Sequence, residues 1–446
     1  MEQWIEKDLR YVWHPYTQMK DHETLPPILI EKAEGIKLYD DKGNYYYDVV
    51  SSWWCNLHGH KHPKIHQAMR DQLDTVDHVL LAGVTHRPAI TLAERLVAIS
   101  PNGLNKVFYS DDGSTAVETA LKISFQYWQN IGRKEKKRFV ALDEGYHGDT
   151  VGSMSVSAVD LFNEVFNPLF FNSIKVPSPY CYRCPMGNGL SKCNIECIIP
   201  LENILRDHGD EICAMIIEPM VMGASGMIVY PKEYLAKARK LTKKYDVHLI
   251  ADEVAVGFGR TGKMFACEHA NVEPDLMCLS KGLTAGYMPM GATLLTDEIY
   301  DAFYADYEQR KTFYHGHTYT GNPLACAAGI ASLEVFEEED TINKIQSLIP
   351  SLEQGLEQMR SLPHVGDVRC IGMIGAIELV KDKALKTPFS LAERAGYKVY
   401  QQGLANNILL RPLGSVVYLY LPLCTTHNEL QDILERFYRT IEEVRL

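Results

Sequence analysis

Residues 247–262, VHLIADEVAVGFGRTG, and residues 275–286, DLMCLSKGLTAG, decide the fold of this chain. Each stretch opens on a short apolar run of the length of a buried strand. Asp252 follows the first run, and Lys281 follows the second. Because open α/β sheets bind ligands beyond the carboxyl ends of their strands, we expect this acid and this amine to share one site.

An amine and an acid so placed suit pyridoxal phosphate (PLP). Lys281 would hold the cofactor aldehyde covalently, and Asp252 would keep the pyridine ring protonated so that it accepts electrons from the substrate. Taken separately, Asp252 is typical of a helix or turn cap and Lys281 of a solvated charge. Their common position after two apolar runs favours the cofactor site.

Further apolar runs, KVFYSD, RFVALD and CAMIIEPM, alternate with helical patterns and predict a large three-layer α/β domain. We assign residues 61–330 to this PLP-binding domain. Residues 1–60 and 331–446 carry charged helices and hairpin-like segments, and we expect them to pack together as a smaller domain.

A phosphate seat is predicted where strand KVFYSD leads into a helix at Gly113 and Ser114, since a helix N-terminus favours an anion. Gly-Ser after a strand is equally typical of an ordinary N-cap. Tyr146 would lay its ring on one face of the cofactor, and Val254 would pack on the other. Thr318, in HGHTYTGNP, offers a further hydroxyl to the phosphate.

Composition narrows the function classes. A net charge of −12 argues against a nucleic-acid partner, because phosphate contact needs clustered Lys and Arg. No apolar stretch approaches the length of a membrane span, and the charged start MEQWIEKDLR lacks a signal sequence, so we expect a cytoplasmic protein with no membrane partner. Eleven scattered cysteines fit reduced thiols.

Three motifs suggest other sites. GFGRTG matches the dinucleotide fingerprint, but no helix opens from it, and its glycines are better suited to a tight turn. HGHKHP groups His58, His60 and His62 without an acid or cysteine beside them, which argues against a metal.

The third motif, SPYCYRCPMGNGLSKCNIEC, contains Cys181, Cys184, Cys193 and Cys197. Four such sulfurs are able to hold zinc or an iron–sulfur cluster, although the second spacing is irregular for a zinc ribbon. Reduced thiols in a surface insert are the alternative. We assign no metal to the site, and the sequence leaves this choice open.

Almost the whole chain resembles the class III PLP-dependent aminotransferases of fold type I. The resemblance depends on IIEP, ADEVAVGFGRTG, SKG and TGNPLACAA. Within that class, WHPYTQM, SSWW, GYHGDT and RPLG are similar to the branch that aminates 8-amino-7-oxononanoate to 7,8-diaminononanoate in biotin synthesis. The implied donor is S-adenosylmethionine, with lysine as an alternative that the sequence does not separate.

The resemblance implies roles for individual residues. It implies Lys281, Asp252 and Tyr146 as catalytic residues, and His317 and Thr318 as phosphate contacts donated by the neighbouring subunit of a homodimer. Residues implied to line the substrate pocket, besides Tyr146 and Lys281, are Tyr16, Trp53, Gly316, Arg411 and Tyr418. Arg411 suits a carboxylate because its planar guanidinium binds one bidentately, and Trp53 gives a long aliphatic substrate an apolar wall.

Two other functions are compatible with these motifs. An ω-amino acid:pyruvate aminotransferase would share the same core motifs. A PLP-binding regulator or carrier without turnover would also need the lysine. A regulator normally carries a DNA-reading module, and no basic helix-turn-helix segment is visible.

Overall fold

Strands and helices alternate through the middle of the chain, as the apolar runs predict. The structure is a computed structural model that describes residues 2–187 and 193–446. Its strands are β1 Ile30–Glu34, β2 Lys37–Asp40, β3 Tyr45–Tyr47, β4 Leu104–Ser110, β5 Arg138–Leu142, β6 Ile174–Val176, β7 Ile212–Ile217, β8 Val221–Met222, β9 Ile228–Val229, β10 His248–Asp252, β11 Leu276–Leu279, β12 Gly291–Thr296, β13 Val365–Ile371, β14 Ile374–Asp382, β15 Thr387–Pro388 and β16 Val416–Tyr420.

The α-helical segments include long helices and several single turns. They are α1 Glu2–Tyr11, α2 Ser51–Trp54, α3 Pro63–Leu73, α4 Arg87–Ile99, α5 Gly113–Asn130, α6 Val151–Val156, α7 Asp160–Asn163, α8 Ile199–His208, α9 Lys232–Lys244, α10 Asp297–Asp301, α11 Pro323–Glu338, α12 Thr341–Gln358, α13 Ala395–Ala405 and α14 His427–Glu443. No helix in the described part of the chain is long and apolar enough to cross a bilayer.

A seven-stranded sheet forms the centre, in the order β4-β12-β11-β10-β7-β5-β6. Strands β11, β10, β7, β5 and β6 pair in parallel, whereas β12 runs antiparallel to both of its neighbours. The strands β7, β10 and β11 are buried along their whole length. This mixed, mostly parallel sheet confirms the predicted α/β class.

Helix α5 covers one face of the sheet. Its inner face contains Ala116, Ala120 and Ile123, which are all buried in an apolar cluster with residues of β7 and β11. The helix begins at Gly113, as the sequence predicts, because the Asp112 side chain accepts the Thr115 N–H at 2.8 Å and caps the first turn. The N-terminus of α5 is therefore fixed directly after β4.

The two ends of the chain meet beside the large sheet. The Tyr47 N–H donates to Asn407 O at 2.9 Å, and the Tyr420 N–H donates to Val49 O at 2.7 Å. Tyr47 ends the hairpin β2–β3, and Tyr420 ends β16 of the antiparallel sheet formed with β13 and β14. The predicted boundary at residue 330 lies inside α11, and the division into two domains stays a prediction.

Candidate active site

Neighbouring parallel strands bring the predicted acid and amine to one edge of the sheet. Asp252 is the last residue of β10 and pairs in register with Cys278 of β11. Lys281 follows the end of β11 by two residues, after Ser280. Since parallel strands end at the same edge, the chain places both groups where the sequence predicts a ligand.

The Asp252 carboxylate is buried and paired on both oxygens. Its Oδ1 accepts the Val254 N–H at 3.1 Å, and its Oδ2 lies 2.7 Å from Nδ1 of His147, which is also buried. These contacts fix the orientation of the carboxylate. A carboxylate fixed at this position is suited to pair with a protonated ring nitrogen.

The Lys281 amine lies in a dry environment. Burial lowers its pKa, and the charge of Asp252 opposes that shift. Lys281 Nζ lies 5.1 Å from the ring centroid of Trp54. A desolvated lysine of lowered pKa is suited to attack an aldehyde and to accept a proton.

Gly113 and Ser114 form a close-packed seat at the N-terminus of α5. A Cβ on Gly113 would lie 2.6 Å from Cγ1 of Val254, so only glycine lets α5 approach the segment after β10 this closely. Ser114 Oγ accepts the Asp149 N–H at 3.0 Å. With the acid at Asp252 and the amine at Lys281, this seat fits PLP, whose phosphate needs backbone donors at a helix N-terminus.

Tyr146 reaches the site on a loop held by a buried carboxylate. Its N–H donates to Glu218 Oε2 at 2.9 Å, and Glu218 Oε1 accepts the Gly223 N–H at 2.9 Å. Burial, and then the charge of Asp252, raise the pKa of Glu218 to about 8. Glu218 therefore ties the loop of Tyr146 to the strand end next to Asp252.

Aromatic side chains cluster around the predicted substrate positions. The Tyr16 hydroxyl donates to Asp149 Oδ1 at 2.5 Å, and its ring lies edge-on to Trp53 with centroids 5.7 Å apart. Arg411 Nη2 donates to Tyr16 O at 2.6 Å, and its guanidinium lies 5.8 Å from the Trp53 ring centroid. Tyr418 is buried behind this group, where its hydroxyl accepts the Trp54 Nε1–H at 3.0 Å.

The segment from Gly316 to Thr318 lies at the surface. Gly316 and Thr318 are exposed, and His317 Nδ1 lies 2.9 Å from Asp111 Oδ2 at the end of β4. Within one chain, His317 thus pairs with an acid two residues before Gly113. Its predicted contact with the phosphate of a partner's site stays a prediction.

The histidines of HGHKHP point to three different partners. His58 Nε2 lies 3.1 Å from Ser332 Oγ, His60 Nε2 lies 3.2 Å from Asp48 Oδ2, and His62 Nε2 lies 3.0 Å from Glu339 Oε1. In GFGRTG the Gly262 N–H donates to Gly259 O at 2.9 Å, and both glycines have positive φ. This is the predicted tight turn.

The four clustered cysteines are free thiols. Burial, and then the neighbouring cysteines, raise the pKa of Cys181 and of Cys197 to about 11. Across residues 2–187 and 193–446, no three His, Cys, Asp or Glu side chains are arranged to hold a metal ion. Residues 188–192, between Cys184 and Cys193, lie outside the described ranges.

Sequence reasoning missed His147, Glu218, Trp54 and Asp149. His147 and Asp149 stand inside the quoted motif GYHGDT, and Glu218 stands inside IIEP, so the motifs mark them without assigning a role. Within SSWW, nothing in the sequence distinguishes Trp54 from a tryptophan that only packs in the core. Only its position 5.1 Å from the Lys281 amine identifies it.

Comparisons with known proteins agree with this geometry. The family described as aminotransferase class-III matches residues 17–441. An adenosylmethionine-8-amino-7-oxononanoate aminotransferase of Geobacter sulfurreducens is 48% identical over 98% of this chain and 97% of its own length. One from Aquifex aeolicus is 47% identical over 100% of this chain and 97% of its own.

Solved structures give the same result for the fold. The crystal structure of adenosylmethionine-8-amino-7-oxononanoate aminotransferase from Methanocaldococcus jannaschii superposes with a TM-score of 0.95 at 44% identity, covering 100% of both chains. An omega transaminase from Pseudomonas jessenii, in complex with PMP, superposes with a TM-score of 0.92 at 34% identity over 98% of this chain and 97% of its own. The large sheet and the PLP fold type I arrangement are thus shared along the whole chain.

Proposed function

The chain belongs to the class III aminotransferases, and from this premise we propose that it aminates 8-amino-7-oxononanoate to 7,8-diaminononanoate in biotin synthesis. The observation that carries the proposal is the 48% identity, over 98% of the chain, to an enzyme named for that acceptor. The same name supports S-adenosylmethionine as the amino donor. Lysine is the alternative donor to be tested.

PLP is the cofactor of this class, and when bound it supplies an aldehyde for the amine and a ring that accepts electrons. Lys281 would hold it, and Asp252 would keep its ring nitrogen protonated. Gly113 and Ser114 would bind its phosphate. Lys281, once released by the donor amine, would take the proton from the substrate carbon that bears nitrogen, because burial lowers its pKa.

The pocket chemistry supports a long aliphatic acceptor with a carboxylate end. Trp53 and Tyr16 offer apolar faces, and Arg411 offers a planar cation beside them. A guanidinium binds a carboxylate bidentately, and aromatic faces exclude water from a hydrocarbon chain. Tyr146 would complete the wall above the cofactor.

Half-reactions test the donor. The enzyme carrying PLP is mixed separately with S-adenosylmethionine, L-lysine and β-alanine, and loss of the visible absorbance of the bound cofactor is followed. We expect bleaching by S-adenosylmethionine or lysine, followed by recovery on adding 8-amino-7-oxononanoate. Response to β-alanine alone would favour an ω-amino acid:pyruvate aminotransferase, a rival supported by the 34% identity to an omega transaminase. No change in the cofactor absorbance with any of the donors would indicate a non-catalytic PLP-binding protein.

The role of Lys281 has its own test. Borohydride treatment of the holoenzyme should fix the cofactor on the peptide that contains Lys281, as read by peptide mass spectrometry. Lys281→Ala should lose both this label and all turnover while keeping its circular dichroism spectrum. A label on another lysine would refute the assignment.

We also propose a cytoplasmic homodimer with shared sites. All eleven cysteines are free, as expected in a reducing compartment. Five exposed tyrosines occur in the part of the chain from residue 300 to residue 319, which includes His317 and Thr318, and exposed aromatic side chains favour an interface; they are Tyr300, Tyr304, Tyr307, Tyr314 and Tyr319.

Mixing two inactive variants tests the sharing of sites. Lys281→Ala and Thr318→Arg protomers, unfolded and refolded together, should regain about a quarter of wild-type activity, because half of the dimers contain one intact site. Light scattering checks the dimer. Absence of any recovery in mixed dimers would indicate that Thr318 and Lys281 of the same chain serve one site, which contradicts the sharing of sites between protomers.

A further inference from the structure

The segment α2 is one helical turn wound in the left-handed sense. Ser51, Ser52, Trp53 and Trp54 have φ values of 50°, 47°, 75° and 74°, and none of them is glycine. The Trp54 N–H donates to Val50 O at 2.9 Å and closes the turn. A run of L-residues avoids this conformation unless the surrounding structure imposes it.

Buried polar groups hold the turn at both ends and at its centre: Arg260 donates to Ser51 Oγ at 3.1 Å and to Trp54 O at 3.5 Å, and a buried carboxylate binds Ser52. Asp48 is 1% exposed, and its Oδ1 accepts the Ser52 N–H at 2.8 Å. Its Oδ2 accepts the Ser52 hydroxyl at 2.6 Å and lies 3.2 Å from His60 Nε2. Asp48 therefore binds both polar groups of Ser52 at the centre of the turn, and His60, from the HGHKHP motif, holds Asp48 in place.

The turn points two indoles at the site. Trp53 lies against Tyr16 and under the Arg411 guanidinium, at the predicted substrate wall. Trp54 lies 5.1 Å from Lys281 Nζ and stacks on Tyr420 with centroids 5.6 Å apart. In a right-handed turn the same two side chains would leave in other directions, because side-chain direction follows the backbone dihedrals.

We propose that Asp48 is a positioning residue that sets the shape of the acceptor pocket by holding residues 51–54 left-handed. Asp48 contacts neither the cofactor seat nor the Lys281 amine; it acts through the placement of Trp53 and Trp54. The inference rests on the proposed function only for the identity of the acceptor.

The variant Asp48→Ala tests this role through a split between KM and kcat. If the left-handed turn falls to one molecule in ten, KM for the keto acceptor rises about tenfold. We expect a smaller fold-change in kcat than in KM, and PLP content at the wild-type value, because neither Lys281 nor Asp252 is substituted. The near-ultraviolet circular dichroism of the tryptophans should change in parallel.

Rescue separates positioning from general damage. Glycine adopts the left-handed conformation as readily as the right-handed one. The KM of the double variant Asp48→Ala, Ser52→Gly should therefore be at least about threefold lower than the KM of Asp48→Ala. The control is Asp40→Ala, which removes another buried carboxylate that accepts N–H groups, from Lys42 and Asn44, at an ordinary turn. That control should lower stability without changing KM.

An unchanged KM in Asp48→Ala, or a double variant no better than the single one, would overturn the inference. Should Asp48→Ala fail to fold, Asp48→Asn and Ser52→Ala give the same comparison with smaller expected rises in KM. Failure of wild-type enzyme to use 8-amino-7-oxononanoate would instead contradict the proposed function. The KM ratios would then be measured with the acceptor that the wild type does use, together with the tryptophan spectrum.

Discussion

At the scale of single residues, His147 holds Asp252, the acid that is expected to pair with the cofactor ring nitrogen. Its Nδ1 lies 2.7 Å from Asp252 Oδ2, and the His147 N–H donates to Ser157 Oγ at 2.9 Å, which fixes the backbone that carries the ring. A Cβ at Gly145 would approach His147 Nε2 to 3.3 Å, so the glycine leaves room for the imidazole. Asp252 is thereby held by groups from two separate segments.

Replacing His147 should weaken the electron sink without removing the acid. His147→Phe leaves one Asp252 oxygen buried without this hydrogen bond, worth about 1.5–3 kcal/mol for a charged partner, so kcat should fall about tenfold to a hundredfold. PLP affinity, measured by absorbance titration of the apoenzyme, should fall as well. His364→Phe, which removes a ring nitrogen that lies 3.2 Å from Val380 O, is the control. Wild-type kcat and affinity in His147→Phe would contradict the role.

At the scale of elements, the site depends on how closely α5 approaches the segment after β10. Gly113 opens the helix and Val254 opens the loop, and the two meet where a Cβ would come within 2.6 Å of Cγ1. The Asp112 cap fixes the start of the helix at this point. The predicted phosphate site thus depends on the packing between these two elements as well as on the N-terminus of α5.

A size-exchange pair tests this contact. Gly113→Ala overpacks it at a cost of about 1–3 kcal/mol, and the helix start should move away from the seat, with a lower melting temperature and about tenfold weaker PLP binding. Adding Val254→Ala removes the clashing methyl groups and should restore most of the binding. Val254→Ala alone is the matched control. A double variant as weak as Gly113→Ala would argue that the added methyl blocks the phosphate itself.

At the scale of the whole molecule, buried neutral histidines lower the stability in acid, whereas the raised pKa of buried Glu218 acts in the opposite direction. Burial lowers the pKa of His58 to about 3 and that of His248 to about 4, below the unfolded value near 6.5. As the pH falls below 6.5, these two histidines therefore become protonated in the unfolded chain but stay neutral in the folded chain. Their contribution to stability is fully present above that pH and is lost as pH falls toward 3 to 4.

Urea unfolding at pH 6.5 and pH 5 measures this effect. Each of the two histidines should reduce the free energy of unfolding by about 2 kcal/mol over that interval. His58→Gln, which keeps a partner for Ser332, should lose about half of the combined dependence. His427→Gln, at an exposed position, should leave the dependence unchanged. An equal pH slope in wild type and His58→Gln would show that His58 titrates normally in the folded protein.

The sequence by itself determined five strands of the large sheet, the start of α5, and the meeting of Asp252 with Lys281; the five strands are β4, β5, β7, β10 and β11. Apolar runs of strand length are local signals, and parallel strands end at one edge, so two residues that follow such runs must lie together. The tight turn of GFGRTG was equally local, because its glycines supply the positive φ values.

Only the tertiary structure decided which distant groups serve that site. His147 and Asp252 are 105 residues apart, Arg411 and Tyr16 are 395 apart, and no periodicity joins such pairs. The handedness of residues 51–54 was also hidden, because serine and tryptophan locally favour a right-handed turn. Arg260 and a buried carboxylate four residues from Ser52, held by His60, reverse that preference, and such contacts exist only after the chain has folded around them.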